Sequence, residues 1–547
     1  MSEPGASPWL DAVLRRPAQL EKLPPCRAGC PGGADVRLWI GWIAQRDRLG
    51  LGLEEALERA WLEIVDRNPF PAVTGRICPH PCESGCNRDG KDGAVAIHAL
   101  ERYVGDWALA ARLPLRRLPE GPYPESIVVA GAGPAGLSFA YQMARRGYRV
   151  RVYERGKRPG GMLLRGIPEY RLPERVLAAE IDRILALGVE LELGSTVEHR
   201  RDGDTPLRTD DVVFLGIGAQ AGRGLGVPGD DGAGVATGVD YLAAYNEGTP
   251  LDLGRRIAVV GGGNTAIDTA RAARRTGAEV TLVYRRGREE MPAIAAEVDE
   301  ALEEGVRLIE LAAPVEVIRR DGRVRALRLA RMRLGEADAS GRRRPLPVDG
   351  EEWELEADGV VAAVSQQPDW DGLESVRGDD GWLRADAFGE IRPGVWGGGD
   401  ARGLGIASLA IAQGRIAAEA AHAKLRGHEP PGPLAGPPIE AAQVRLDRYA
   451  SRARLELLPT PVAERLAAPD REVQPSIDET AFLAEAGRCL SCGSCFGCQS
   501  CAMYCNPNGF DRLVEAAPGA YFTWSSVACE GCGKCIEVCP CGFLSVR

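Results

Sequence analysis

Closely spaced cysteines near the end of the sequence constrain the fold more than any other feature. Residues 489–505 contain six cysteines, and a second cysteine-rich run follows at residues 529–541. Such density indicates either a disulfide scaffold or metal sites. The opening stretch MSEPGASPWLDAVLRRPAQL lacks the apolar core of a signal peptide, so we expect the chain in the cytoplasm, where thiols stay reduced. The cysteines therefore predict metal rather than disulfides.

The spacing within both runs favours iron–sulfur clusters over zinc. The second run reads C-x2-C-x2-C-x3-C-P, and the first repeats it with asparagine in place of the proline. Paired motifs of this kind hold two [4Fe–4S] clusters in bacterial-type ferredoxins, the fourth cysteine of each motif binding the other cluster. Zinc would prefer two isolated C-x2-C pairs. The predicted ligands are Cys495, Cys498, Cys501 and Cys539 for one cluster, and Cys529, Cys532, Cys535 and Cys505 for the other.

Three cysteines of these runs are left without a role. They are Cys489, Cys492 and Cys541. We interpret them as buried structural thiols, since a free cysteine packs as a small apolar residue. A ligand role for any of them is the alternative.

Length and charge narrow the class of protein further. At 547 residues the chain is too long for one core, which predicts three or four domains. A net charge of −10 argues against nucleic acid as a partner. No run of about eighteen apolar residues occurs, so we expect no membrane span.

A dinucleotide-binding motif follows an apolar segment in the middle of the chain. Gly131, Gly133 and Gly136 form G-x-G-x-x-G directly after IVVA, and the next predicted strand, YRVRVYE, ends at Glu154. The glycines let the backbone approach a pyrophosphate at a helix N-terminus, and the acid can bind both hydroxyls of an adenosine ribose. Further candidate contacts are Pro134, Ala135, Arg155, Gly161 and Met162.

A second copy of the motif differs at its acidic position. Gly261, Gly263 and Ala266 form G-x-G-x-x-A, and Arg285 and Arg286 stand where the acid would be. Arginines there can pair with a 2′-phosphate, which favours NADPH. The alternative is that they form a solvated face and NADH is used. Further candidate contacts are Asn264 and Thr265.

A third segment, GVWGGGDARGLGIASLAIAQGRIAAEAA, completes the first copy. It places Gly399 and Asp400 after an apolar strand and predicts a helix that begins near Ile406, with Ala407 as a further contact. An aspartate here can bind ribityl hydroxyls, while the helix N-terminus faces the pyrimidine edge of a flavin. The first copy is therefore interpreted as an FAD site.

Several segments together carry a resemblance to a known family. GAGPAG, VPGDDGAGV, GGGNTAIDTA, VYRRGREEMPA and WGGGDA resemble the small (β) subunit of NADPH-dependent glutamate synthase and its relatives, over roughly residues 25–425. The resemblance implies an FAD domain interrupted by an NAD(P)H domain, the chain re-entering the FAD domain at ADGVVAAVSQQPD. The family's loop equivalent to GIPEYRLPERV packs near the flavin, which makes Arg171 a candidate contact.

The N-terminal region resembles the same family with one departure. Relatives with two clusters here carry a further C-x2-C before the equivalent of Cys26, and this chain has no cysteine before it. The resemblance then implies one [4Fe–4S] cluster with a non-cysteine fourth ligand near Glu101; the alternative is that Glu101 faces solvent. The implied ligands are Cys30, Cys78, Cys82 and Glu101, while Cys26 and Cys86 would have belonged to the missing cluster.

The sequence thus predicts a multidomain α/β chain with two Rossmann-like domains. We expect a helical iron–sulfur domain at residues 1–120, an FAD domain at 121–235 and 360–426, and an NAD(P)H domain at 236–359. An extended, proline-rich linker is expected at 427–486, followed by a ferredoxin-like domain at 487–547 with two [4Fe–4S] clusters. Three clusters are expected in all.

The predicted activity is electron transfer between NAD(P)H and a one-electron acceptor. Nicotinamides give two electrons as a hydride and clusters accept one, so FAD must stand between them. Hydride transfer requires no acid or base, and we predict no catalytic side chain. By resemblance, the partner is a ferredoxin or a larger redox enzyme subunit, such as a 2-oxoacid:ferredoxin oxidoreductase, in a hetero-oligomer. The alternatives are a true glutamate synthase β subunit and a non-catalytic docking subunit.

Overall fold

The computed structural model describes residues 15–196, 212–337, 341–432, 434 and 436–546. The chain divides into two compact units. The first comprises the described residues of Met1–Leu115, His428–Leu457 and Ser476–Arg547, and the second comprises Arg116–Gly427 and Leu458–Pro475. The expectation of no signal peptide rests on residues 1–20, of which residues 1–14 lie outside the described residues. No described helix is long and apolar enough to cross a membrane.

The first unit begins as a layer of short helices. Helix Leu53–Val65 buries Leu57, Ala60, Trp61 and Ile64, which share one face because their spacing follows the helical period. The helices of this part are Pro25–Ala28, Val36–Ala44, Arg46–Leu49, Leu53–Val65, Pro71–Ile77, Pro81–Ser84, Asp89–Asp92 and Ile97–Ala110. Those contributed by the end of the chain are Glu479–Ala486, Ser500–Met503 and Lys534–Glu537.

Both ends of the chain meet in this unit. Strand Pro17–Gln19 pairs antiparallel with Leu544–Val546, and Phe510–Ala517 pairs antiparallel with Ala520–Trp524. The helical and ferredoxin-like parts, which the sequence predicts as separate domains, therefore belong to one unit.

The second unit contains a six-stranded sheet around the first glycine motif. Its central strand, Ser126–Ala130, is buried from its second residue onwards, as expected for a parallel strand covered on both faces. Only Glu390–Arg392 runs antiparallel to its neighbour among these strands. The strand order is Glu390–Arg392, Val395–Gly397, Val212–Leu215, Ser126–Ala130, Arg149–Glu154 and Glu190–Leu193.

A five-stranded parallel sheet surrounds the second motif. Its order is Arg307–Ile309, Glu279–Val283, Arg256–Val260, Gly359–Ala362 and Val235–Thr237. Strand Gly359–Ala362 lies between two strands of this sheet and is completely buried. The predicted return to the FAD domain at residue 360 is therefore too early, because this apolar strand completes the second sheet first. An antiparallel sheet of Ala312–Arg320, Arg323–Ala337 and Arg343–Glu356 follows.

Helices and short elements complete the second unit. The helices are Pro134–Arg145, Met162–Arg165, Glu174–Leu185, Gly238–Asn246, Asn264–Arg275, Ala295–Glu303, Ala407–Arg426 and Val462–Ala467. Strands Ala221–Gly222 and Gln366–Gln367 pair antiparallel. Single 3-10 turns lie at Arg288–Glu290, Glu374–Val376 and Gly399–Arg402, and in the first unit at Ala441–Gln443 and Leu446–Arg448.

The segment predicted as an extended linker, residues 427–486, is extended only in part. It contains helices Val462–Ala467 and Glu479–Ala486. Phe482 of the latter is completely buried and stacks on Tyr103 with ring centroids 4.0 Å apart. The proline content predicts the extended stretch before residue 441 but not this apolar anchor.

Candidate flavin, nicotinamide and iron–sulfur sites

The first glycine turn leaves no room for a side chain at Gly131 or Gly136. A Cβ on Gly131, whose φ is +99°, would lie 2.4 Å from the carbonyl oxygen of Gly216, and one on Gly136 would lie 2.0 Å from that of Gly131. The Glu154 carboxylate at the end of the neighbouring strand accepts hydrogen bonds from the backbone N–H groups of Ala132 and Gly156, over 2.8 and 2.7 Å. The turn and the acid therefore form one rigid corner.

The remaining candidates of this corner fall into two groups. Pro134 opens helix Pro134–Arg145, and a Cβ on Gly161 would lie 2.8 Å from the Cα of Gly133, so Gly161 and the following Met162 adjoin the turn. Ala135 is buried in the same helix. Arg155 instead lies on the surface, where it pairs with Asp369 over 2.6 Å.

Asp400 lies beside this corner at the start of a long helix. Gly399 contacts the helix of the first motif, since a Cβ on it would lie 3.1 Å from that of Ala135. Helix Ala407–Arg426 begins one residue after the predicted Ile406. The backbone N–H of Gly405 donates to Asp400 Oδ1 over 3.2 Å, and burial raises the pKa of Asp400 to about 6.

These groups fit a flavin dinucleotide. The turn gives backbone access at a helix N-terminus, Glu154 lies at the strand end where a ribose would be held, and Asp400 is a buried acid that needs donors. Arg171 is the further candidate. Its guanidinium pairs with Asp268 over 2.6 Å and with Glu297, and its side chain is 8% exposed. Two carboxylates therefore hold the guanidinium in place, and its contact with the flavin stays a prediction.

The second glycine turn is equally tight but opens at one point. A Cβ on Gly261 would lie 2.3 Å from the carbonyl oxygen of Ala363, whereas one on Gly263 would meet nothing within 4 Å. Asn264 Oδ1 accepts from the backbone N–H of Ile294 over 3.0 Å. Thr265 Oγ1 accepts from Gln366 Nε2 over 3.3 Å. A dinucleotide can therefore approach the backbone at Gly263.

The two arginines after the second strand point to different environments. Arg285 is exposed, whereas Arg286 is 5% exposed and its Nε donates to the carbonyl oxygen of Arg343 over 2.7 Å. Both arginines lie in the bend that follows strand Glu279–Val283. Arg285 is thus the one of the pair that remains accessible to a 2′-phosphate.

The structure brings the two predicted ferredoxin ligand sets together. Burial and three neighbouring thiols raise the pKa of Cys501 to about 12; the three are Cys495, Cys498 and Cys539. Burial likewise raises the pKa of Cys535 to about 11, and its neighbouring thiols are Cys532, Cys505 and Cys529. Each set includes the distant fourth cysteine that the crossed pattern requires.

Close helix packing brings Glu101 to the N-terminal cysteines. A Cβ on Gly75 would lie 2.4 Å from the backbone nitrogen of Arg102, and one on Gly105 would lie 2.4 Å from that of Ala72. Helix Pro71–Ile77 therefore approaches helix Ile97–Ala110 backbone to backbone at these two glycines. The first of these helices ends at Cys78, and the second carries Glu101.

The set predicted for the N-terminal cluster lies together. Burial raises the pKa of the Cys82 thiol, and the nearby negative charges of four residues raise it further. These residues are Cys30, Glu101, Glu83 and Cys78. Glu101 Oε1 accepts from Thr74 Oγ1 over 2.8 Å and from Asn68 Nδ2 over 3.1 Å. The side chain is 16% exposed, so the alternative of a solvent-facing Glu101 is wrong.

A fourth cysteine set escaped the sequence analysis. Cys26, Cys86, Cys489 and Cys492 line a single cavity in the first unit. Burial raises the pKa of the Cys26 thiol, and the neighbouring thiols of Cys489, Cys492 and Cys86 raise it further. The signal that could have found this set is the number of cysteines left without a role: two in the N-terminal part, Cys26 and Cys86, and three in the C-terminal runs, of which Cys489 and Cys492 form a C-x2-C pair. Spacing cannot show it, because about 400 residues separate the halves.

Comparison with known families matches two segments of the chain. Residues 125–414 match the family described as pyridine nucleotide-disulphide oxidoreductase. Residues 19–113 match the dihydropyrimidine dehydrogenase domain II, 4Fe–4S cluster. The first match covers more than half of the chain.

Three relatives show where the similarity extends. The NADP(+)-dependent formate dehydrogenase subunit beta of Moorella thermoacetica is 37% identical over 86% of this chain and 70% of its own length. The NADPH-Fe(3+) oxidoreductase subunit beta of Geobacter sulfurreducens is 39% identical over 65% of this chain, which spans about half (53%) of that relative. The glutamate synthase [NADPH] small chain of Azospirillum brasilense is 35% identical over 73% of this chain and 86% of its own.

Proposed function

The chain belongs to the pyridine nucleotide-disulphide oxidoreductases, in the group of glutamate synthase small chains and related NADPH-dependent iron–sulfur oxidoreductases, and from this we propose its particular role. It passes electrons between NADPH and a ferredoxin or a larger redox enzyme through FAD and [4Fe–4S] clusters. The observation that carries the proposal is the cysteine arrangement of the first unit, in which each crossed ferredoxin set is complete. A flavoprotein that reduced only a two-electron acceptor would not need it.

Each glycine turn is assigned one nucleotide. The turn at Gly131, Gly133 and Gly136 holds the FAD pyrophosphate, while Glu154 holds the adenosine ribose and Asp400 the ribityl chain. The turn at Gly261 and Gly263 holds the nicotinamide nucleotide, with Arg285 at its 2′-phosphate. When bound, FAD supplies the conversion between a hydride pair and single electrons. The chain's own residues bind and orient, and none moves a proton.

The ferredoxin-like part is the proposed exit towards the partner. It exposes large apolar side chains, with Met503 78%, Val514 102% and Val527 97% exposed. Exposed apolar side chains are common at docking surfaces of redox subunits, which associate through small interfaces. We propose that the chain works in the cytoplasm within a hetero-oligomer. Its proposed partner is a low-potential redox protein.

An anaerobic titration tests the role. The purified protein is titrated with NADPH and, separately, with NADH, while flavin absorbance and cluster EPR are followed together. Bleaching of the flavin with the appearance of reduced-cluster signals supports transfer from nicotinamide to the clusters. Bleaching with clusters that stay oxidised supports flow in the opposite direction, which dithionite-reduced protein and NADP+ then test. If neither NADPH nor NADH reduces the flavin, and NADP+ does not reoxidise the reduced flavin, the proposal is contradicted and a docking subunit is favoured.

A further inference from the structure

A cavity in the first unit joins cysteines from the two ends of the chain. Cys26 lies in helix Pro25–Ala28 and Cys86 follows helix Pro81–Ser84, whereas Cys489 and Cys492 form a C-x2-C pair. All four line the same cavity, whose remaining walls are mostly apolar. The apolar lining includes Val36, Ile40, Val95, Ile97 and Leu490.

We propose that these four cysteines hold a further [4Fe–4S] cluster, the fourth of the chain. It would be assembled from two segments about 400 residues apart, each of which supplies two thiolates. The inference goes beyond the proposed function and does not depend on the direction of electron flow. It also accounts for Cys26 and Cys86, and for two of the three cysteines that the ferredoxin pattern leaves over.

The C-terminal pair is fixed in place by two buried arginines of the N-terminal part. Arg37 Nη1 donates to the carbonyl oxygens of Cys492 and Lys22, each over 2.8 Å. Arg88 Nη1 donates to the carbonyl oxygen of Arg488, the residue before Cys489, over 2.6 Å. The arginine side chains are 5% and 2% exposed. Both ends of the C-x2-C segment are thus tied by bonds that a chance approach of two surfaces would not supply.

The same arginines suit an anionic occupant. Four thiolates with a cubane carry net negative charge, and burying such charge is costly without nearby cations or donors. Burial raises the pKa of the Cys489 thiol, whereas the positive charges of Arg37 and Arg88 act to lower it. Arg37 also pairs with Glu21 and Arg88 with Asp92, so each cation is held in position rather than free to move.

The spacing of the sulfurs favours a cluster over a zinc ion. Zinc bound by four thiolates at about 2.3 Å would hold neighbouring sulfurs about 3.8 Å apart. Within the described residues, the three-ligand group whose atoms lie within 4.8 Å of one another is His80, Glu83 and His98, which includes no cysteine. No three of the four cavity sulfurs therefore lie within 4.8 Å of one another, which is wider than the sulfur spacing of a zinc tetrahedron.

The position of the set gives such a cluster a role as a relay. Cys26 and Cys86 each lie four residues from Cys30 and Cys82, which belong to the proposed N-terminal cluster. On the other side, Tyr449 lines a second cavity together with Cys489 of this set and Cys498 of the ferredoxin set. Its hydroxyl donates to the carbonyl oxygen of Leu490 over 2.8 Å. The fourth cluster would thus connect the N-terminal and ferredoxin clusters.

Iron analysis of anaerobically purified protein tests the inference. We expect about 16 iron and 16 sulfide per chain, against about 12 of each for three clusters, and no stoichiometric zinc. About 12 iron in fully loaded protein, or one zinc per chain, overturns the inference. This wild-type count stands even if every variant fails to fold.

Variants locate the iron. The double variant Cys489→Ser/Cys492→Ser should lose about four iron and one EPR signal while keeping FAD and its bleaching by NADPH. Cys498→Ser is the matched control, since it should lose an equal amount of iron but a different signal. The combined variant should lose both. A C489S/C492S protein that retains FAD and the full iron content contradicts the inference, whereas failure of the proposed function would show as a flavin that stays unreduced in every variant.

Discussion

The Arg171 guanidinium donates to the Asp268 carboxylate over 2.6 Å, with the two side chains only 8% and 4% exposed. This ion pair connects the loop after the FAD strand to helix Asn264–Arg275 of the nicotinamide turn. The second Nη group of the same guanidinium forms an ion pair with the Glu297 carboxylate. A single buried cation therefore connects the two nucleotide-binding parts of this unit.

Arg171→Met should destabilise the second unit strongly, by about 3–5 kcal/mol, because it leaves two buried carboxylates without their cation. Thermal release of FAD, followed by flavin fluorescence, measures the loss. The triple variant Arg171→Met/Asp268→Asn/Glu297→Gln should recover part of it, since no uncompensated charge remains. Unchanged melting of R171M together with a shifted flavin absorption spectrum would show that Arg171 contacts flavin after all.

Arg285→Ala should weaken the use of NADPH selectively. Loss of a charge-assisted pair of about 1.5–3 kcal/mol corresponds to a rise of roughly 10- to 100-fold in KM for NADPH, with little change for NADH. Steady-state reduction of an artificial acceptor by each nucleotide provides the measurement. Arg288→Ala is the matched control, because Arg288 is a nearby exposed arginine paired with Asp299. Equal effects of R285A on both nucleotides would rule out a 2′-phosphate contact.

Asp400→Asn should have opposite effects with and without flavin. The carboxyl has a pKa of about 6 in the folded chain, above its ordinary value, because burial disfavours its charged form. Flavin-free wild-type protein should therefore lose stability as pH rises from about 4 through 6, by about 3 kcal/mol at most. Flavin-free D400N lacks this loss and should melt higher than wild type above pH 6, with the difference reduced to about half at pH 5 and nearly gone at about pH 4. FAD affinity should fall roughly tenfold in the variant, since a charged acceptor is lost.

Melting curves between pH 5 and 8.5, with and without FAD, check both halves of this expectation. Wild-type and D400N curves that stay parallel across that range would argue against a buried titrating carboxyl. Unchanged FAD affinity would argue against the ribityl contact.

Glu101→Ala should remove the N-terminal cluster, with a loss of about four iron and one EPR signal. Thr74→Ala keeps the carboxylate and removes one of its two side-chain donors, so it should retain the iron and shift the potential of that cluster. Redox titration followed by EPR distinguishes the two results. Full iron content in E101A would mean that another group completes the cluster.

The sequence was sufficient wherever chemistry depends on local spacing. Both glycine turns, Glu154 and the crossed ferredoxin sets lie where their motifs indicate, because a tight turn or a cysteine repeat determines geometry within a few residues. Glu101 was also placed correctly beside Cys30, but through family resemblance, since two glycines on different helices create that proximity.

Contacts between distant segments could not be predicted in the same way. Arg286 turns inward to bond the carbonyl of Arg343 on an antiparallel strand that is 57 residues away. Arg171 is captured by carboxylates of another sheet layer, and Cys489 meets Cys26 only once the two ends of the chain have met. Each of these depends on tertiary packing that periodicity and spacing do not encode.

The pairing of strand Pro17–Gln19 with Leu544–Val546 has a consequence for biosynthesis. Strand Pro17–Gln19 has no partner until residues 544–546 have left the ribosome, and closing so long a loop is entropically costly and slow. The two strands therefore pair only after the nucleotide-binding unit, which lies between them in the sequence, has been synthesised. Assembly of a cluster on thiols from both segments can likewise begin only once Cys489 and Cys492 have emerged.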